Sequence, residues 1–167
     1  GYVFGVEFGF LLGAMSLLVS ALVTGGLGPW VPYELCGVGW VGALAGLAGT
    51  GRRGRPGWRD LALLAAVGVV TGYAYGALTD LWQWTFYSGS PGLGFRPGMG
   101  LGTALDHFGR FYVATSVGWD SFRAWGDALV VVAIGLPVIA GLRRLRGQQR
   151  FELVVAPGGQ SALEGRP

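Results

Sequence analysis

The chain has 167 residues, enough for one domain, with 51% hydrophobic and 13% charged side chains where a soluble domain carries about 25% charged. That balance excludes an ordinary soluble protein and marks a membrane protein, and the 33 glycines lie inside apolar runs, which excludes a polar low-complexity chain. The formal charge of +3 rests on twelve arginines, eight of them in two clusters beside apolar runs, so they read as a topology signal and not as a nucleic-acid footprint.

The opening GYVFGVEFGF has neither a start methionine nor a charged leader, so the sequence reads as continuing from helices that precede it. An apolar run predicts a first helix over 6–25, with Gly5, Gly9 and Gly13 as a small-residue stripe. GGLGPWVP breaks it, and Pro32 suits the first turn of a second helix over 33–49, where Gly39/Ala43 and Gly42/Gly46 repeat the small-residue spacing. The lone Cys36 falls in this helix, cannot form an internal disulfide, and reads as a packing residue.

TGRRGRPGWRD follows, with Arg52, Arg53, Arg55 and Arg59, and by the positive-inside rule this loop belongs in the cytoplasm. The third helix, 61–84, is uncharged for its first nineteen residues. Gly68, Gly72, Gly76 and Asp80 follow at four-residue spacing and form one groove for a close neighbour, ending in a carboxylate. A turn-rich outer segment leads to a periodic stretch over 104–116, too short to span at ~1.5 Å per residue. The last helix, 121–146, carries Pro137, where a kink is expected, and ends in Arg143, Arg144 and Arg146, with Arg150 just beyond. Residues 151–167 lose the periodicity and read as a mobile cytoplasmic tail, which leaves 1–150 as the membrane domain. The expected architecture is an all-α polytopic bundle: four transmembrane helices plus a short outer helix, in a cell membrane, with the arginine loop and C-terminus cytoplasmic.

Chemistry is expected at the other end. Trp30, Tyr33, Trp40, Trp82, Trp84, Phe86, Tyr87, Phe95, Phe108, Phe111, Tyr112, Trp119, Phe122 and Trp125 all fall there; an interfacial aromatic belt accounts for some of them, and a ring-lined cavity for a small molecule accounts for the rest. Charges within apolar spans cost ~2.5 kcal/mol or more unless paired or wetted. Asp127 is therefore expected to pair with Arg123, with Asp120 on the same ladder, while Glu34 and Asp80 near the outer helix ends are candidate ligand contacts. His107 and a distant Cys36 do not make a metal set, and no nucleophile elbow, phosphate loop or HExxH supports an enzyme or a cofactor.

GPWVP (28–32), YGALTDLWQW (75–84) and RFYVATSVGWDSFRA (110–124), leading into a basic-ended last helix, together resemble the substrate-binding membrane subunit, or S-component, of energy-coupling factor vitamin transporters, nearest the cobalamin-type or unassigned branch. The resemblance covers 1–150. It implies six helices, of which these four match the third to sixth. It also implies capture of a vitamin from outside, toppling of the subunit in the bilayer, and energy supplied by a coupling subunit and two ATPase subunits. Glu34-Leu35 stands where the family often has Gln-Met, which bears on the substrate. On this reading Trp30, Tyr33, Trp84, Tyr112 and Trp119 enclose the ligand, and Glu34, Asp80 and Asp120 make its polar contacts. A non-transporting membrane scaffold and an intramembrane enzyme using Asp80 or His107 are the alternatives.

Overall fold

Five helices build the chain in a computed structural model that describes residues 1–52, 54–90 and 92–148: α1 (Val6–Thr24), α2 (Val31–Ala48), α3 (Trp58–Thr85), α4 (Leu101–Thr115) and α5 (Val117–Gln148). No strand occurs among the described residues, and α1, α2, α3 and α5 are long and apolar enough to cross a bilayer. The chain is thus an all-helical membrane protein. Arg53, Arg150 and the expected tail over 151–167 lie outside the described residues.

Local chemistry sets the helix ends a few residues from where hydropathy alone places them. Gly25, with φ of 71°, closes α1 in the left-handed conformation that a side chain resists. Pro32 is tolerated in the first turn of α2, where its missing N–H has no partner to lose, so the helix starts at Val31 and not at 33. α3 starts at Trp58 because Asp60 Oδ2 reaches back to accept from the Gly57 N–H at 2.9 Å, capping the end three residues before the apolar run. Only Ser116 separates α4 from α5, which begins a turn before the expected 121 and passes through Pro137 as one helix. At ~1.5 Å per residue α3 and α5 extend ~42 and ~48 Å, so both outreach the ~30 Å hydrocarbon core at their ends.

Packing follows the glycines. α1 and α2 lie against each other so closely that a Cβ on Gly9 would stand 2.1 Å from the Gly42 carbonyl oxygen, and one on Gly42 would stand 2.0 Å from that of Gly9. α2 also packs on α3, α3 packs on α5, and α4 lies across the ends of α3 and α5. The expected groove on α3 is occupied by α5: Gly72 faces Ala124 and Gly76 faces Asp120, whereas Gly68 faces nothing.

The two described arginine clusters share one end. Arg143 donates to the carbonyl oxygens of Gly54 and, at 3.1 Å, of Arg52, and it lies 3.8 Å from Asp60, itself 3.5 Å from Arg52. Tyr2 donates its hydroxyl to Asp60, and Arg146 donates to the Val3 carbonyl, so the segment before α1 is tied to both α3 and α5. Trp30, the end of α3 and all of α4 gather at the opposite end, which sets a polar, arginine-rich rim against an aromatic one.

Candidate functional site

At the aromatic end the first turn of α2 and the last turns of α3 stand apart around an open cleft of about 540 Å³. α2 contributes Tyr33 and Glu34, with Trp30 just before it; α3 contributes Thr79, Trp82 and Gln83, with Phe86 and Tyr87 just after it; Phe111 of α4 completes the lining. The rings brace one another. Tyr33 and Trp82 have centroids 5.7 Å apart, Trp82 and Phe86 5.4 Å, and Tyr87 and Phe111 5.1 Å. Tyr33 donates its hydroxyl to the Leu78 carbonyl oxygen at 2.7 Å, which ties α2 to α3 beside the cleft. Glu34 is the one carboxylate in this lining, and it makes no ion pair or side-chain hydrogen bond among the described residues. The arrangement is a half-wet aromatic box with a single negative group, suited to stacking on a ring and holding a cation or an N–H donor.

A second polar cluster lies behind the cleft, between α3, α4 and α5. Asp120 is 4% exposed; it accepts from Tyr112 at 2.8 Å and from Arg123 at 2.6 Å. Arg123 also donates to the Gly72 carbonyl oxygen at 3.1 Å and lies 5.1 Å from the Tyr75 ring centroid. Asp80, 5% exposed, faces Ser116, and its Oδ2 has no hydrogen-bond partner among the described residues. Burial, then the hydrogen bond to Asp120 and the nearby carboxylates, push the Tyr112 hydroxyl up to about 12. Its proton therefore stays on the oxygen and the bond to Asp120 stands throughout neutral pH.

Of the residues expected at the site, Trp30, Tyr33 and Glu34 line the cleft. Asp80, Tyr112 and Asp120 come together, but in the cluster behind it. Trp84 is 4% exposed and wedged between Phe95 and Phe108, donating Nε1–H to the Leu93 carbonyl oxygen at 2.7 Å, so it anchors α4 and the preceding loop. Trp119, 78% exposed, stands on the outer surface of the bundle. The expected pair of Arg123 with Asp127 does not form. Helical side chains lean toward the N-terminus, so Arg123 turns back to Asp120, and Asp127 is left exposed with no ion pair among the described residues. His107 donates Nδ1–H to the Gly94 carbonyl oxygen at 3.1 Å and pins the loop before α4.

Thr79 and Gln83 line the cleft unforeseen. They stand one turn apart on α3 beside Trp82, about 100° around the helix from Asp80 and Trp84, and face Tyr33 of α2; a helical-wheel projection that separated this strip from Asp80 and Trp84 would have found them. Comparison with family models, with curated proteins and with solved structures returns no match for this chain.

Proposed function

We propose that the chain is a membrane receptor for a small ring-bearing micronutrient, acting as the substrate-binding subunit of an energy-coupling factor type importer. The observation that carries this reading is the cleft: six aromatic side chains around the unpaired Glu34, at the end of the bundle away from the arginines. Its volume of about 540 Å³ falls within the range of ~300–1,000 Å³ that holds drug-sized ligands, and a cobalamin, the first expectation from the resemblance, is well above that size. A ring stacked among Tyr33, Trp82 and Phe86 gains from each face, and a cationic or amine-bearing ring gains further from Glu34 and from the ring quadrupoles.

The chain supplies recognition and not catalysis; the coupling subunit and two ATPase subunits that the resemblance implies would supply movement and energy. The glycine-tight contacts of α1 with α2 and of α3 with α5 suit a bundle that moves as one body. The arginine end faces the cytoplasm of a bacterial cell, and the cleft faces outward. Titration of the detergent-solubilised chain with a vitamin panel, read by tryptophan fluorescence and calorimetry, tests the proposal. Saturable binding of a cationic or amine-bearing ring vitamin, weakened by Glu34→Gln, is expected. No saturable binding across the panel would leave the membrane-scaffold reading in its place.

A further inference from the structure

We infer that the groove between α1 and α5 is a binding site for one anionic phospholipid, its acyl chain along the helices and its phosphate at the arginine rim. The groove, about 400 Å³, runs between Phe4, Phe8 and Leu12 on one wall and Ile134, Val138 and Leu142 on the other, and its lining is predominantly apolar. α1 and α5 make no close helix contact, and the segment before α1 (Tyr2, Val3 and Phe4) bridges them at one end, against Ile139 and Leu142. From Leu142 to Val130, both in the lining, α5 rises ~18 Å at ~1.5 Å per residue. That is close to the ~15 Å depth of one leaflet, so the slot has the length of an acyl chain and stops near mid-bilayer.

Charge selects the occupant. The closed end of the groove is made by Tyr2, Val3 and Leu142, and Arg146 donates one N–H to the Val3 carbonyl oxygen there while Arg143 lies 5.9 Å from the Tyr2 ring centroid. A guanidinium carries five N–H groups, so Arg146 keeps donors for a phosphate. Among the described residues this end holds Arg52, Arg55, Arg59, Arg143, Arg144 and Arg146 against two carboxylates, Glu7 and Asp60, and Asp60 is already taken by Tyr2, Arg52 and Arg143. A basic rim above an apolar slot of leaflet depth fits an anionic phospholipid better than a zwitterionic one or a neutral helix.

The test uses the full chain in lipid-depleted detergent, titrated with phosphatidylglycerol and phosphatidylcholine of identical acyl chains, with bound lipid counted by native mass spectrometry. One phosphatidylglycerol per chain is expected, held about fivefold or more above phosphatidylcholine. Arg146→Gln should lower that preference and Arg146→Lys should keep it, while Ile134→Trp and Val138→Trp, which fill the groove at half-exposed positions, should reduce retention of both lipids with the melting temperature unchanged. Equal retention of the two lipids, a preference that survives Arg146→Gln, or retention indifferent to both tryptophans would overturn the site. So would displacement by glycerol 3-phosphate at equal affinity, which would reduce it to a phosphate contact. Disulfide-linked dimers formed across the groove from Leu12→Cys and Ile134→Cys chains would assign it to a second copy instead.

Discussion

Asp120 on α5 occupies the space above Gly76 on α3: a Cβ built on Gly76 stands 1.7 Å from Asp120 Oδ2, closer than any real contact allows. The absence of a side chain at 76 is thus what admits a carboxylate, and through it Tyr112 and Arg123, to the middle of the α3–α5 contact. Gly76→Ala should displace Asp120, separate the two helices and cost ~3 kcal/mol, combining overpacking with damage to a buried charged network. Gly68→Ala, where nothing lies within contact, should cost nothing measurable or raise stability slightly. Thermal unfolding of the two variants in the same detergent checks the contrast, and equal melting temperatures would refute it.

Two buried carboxylates share one guanidinium. Arg123 is committed to Asp120, and Asp80 is left with an oxygen that has no hydrogen-bond partner among the described residues. Asp80→Asn keeps the shape and removes the uncompensated charge, so it should leave stability unchanged or raise it by ~1 kcal/mol; Asp120→Asn strands Arg123 and should lower it by ~3 kcal/mol. Opposite signs for the two variants in a denaturation series are the expected result. A loss in both would mean that the charge on Asp80 is compensated in the folded chain beyond its contact with Ser116.

Burial of the Tyr112 hydroxyl, and then its bond to Asp120, set a pH dependence at the alkaline end. Its folded-state pKa of about 12 stands above the ~10 of an unfolded tyrosine, so the stability it contributes is complete below pH ~10 and is lost as pH rises toward 12. The melting temperature of the natural chain should exceed that of Tyr112→Phe by a constant margin from pH 7 to ~10, and the margin should shrink above that. A margin that already falls between pH 7 and 9 would place the titrating group elsewhere.

Hydropathy and four-residue spacing were enough to read four spans, the opposition of arginine and aromatic ends, and the glycine faces that meet in the α1–α2 and α3–α5 contacts. They were not enough to tell which face of α3 looks into the cleft. Asp80 and Trp84 are one turn apart on the glycine face and turn toward α4 and α5, whereas Thr79, Gln83 and Phe86, about 100° around the helix, line the cleft. Both faces carry polar and aromatic residues near the helix end, so nothing in the spacing separates a ligand contact from a packing contact there. The exposure of Trp119 and Asp127 has a related cause: α5 packs mainly on α3, and which of its faces stays uncovered is decided by that contact and not by α5's own sequence.

Three tryptophans at one end should therefore respond in three ways. Trp82→Ala, like Tyr33→Ala, removes a ring from the cleft and should weaken the ligand found in the vitamin titration by ~1 kcal/mol, about fivefold in Kd, with stability little changed. Trp84→Ala empties the space between Phe95 and Phe108 and should destabilise the fold by ~3–5 kcal/mol. Trp119→Ala should alter neither affinity nor melting temperature, because the residue is 78% exposed. Affinity lost through Trp119 and kept through Trp82 would move the site to the outer surface of α5.

Orientation can be read with one cysteine at a time. On a Cys36→Ala background, Ser88→Cys places a thiol in the exposed turn after α3 at the aromatic end, and Arg55→Cys places one in the exposed loop at the arginine end. The two loops are separated by all of α3, ~42 Å, so they emerge on opposite faces of a ~30 Å hydrocarbon layer. Positive charge is retained on the cytoplasmic side, and the loop that holds Arg52, Arg55 and Arg59 is short enough for that bias to act. A membrane-impermeant maleimide added to intact cells should label Ser88→Cys and spare Arg55→Cys until the membrane is permeabilised. The reverse pattern would turn the cleft toward the cytosol, where it could not capture a nutrient from outside.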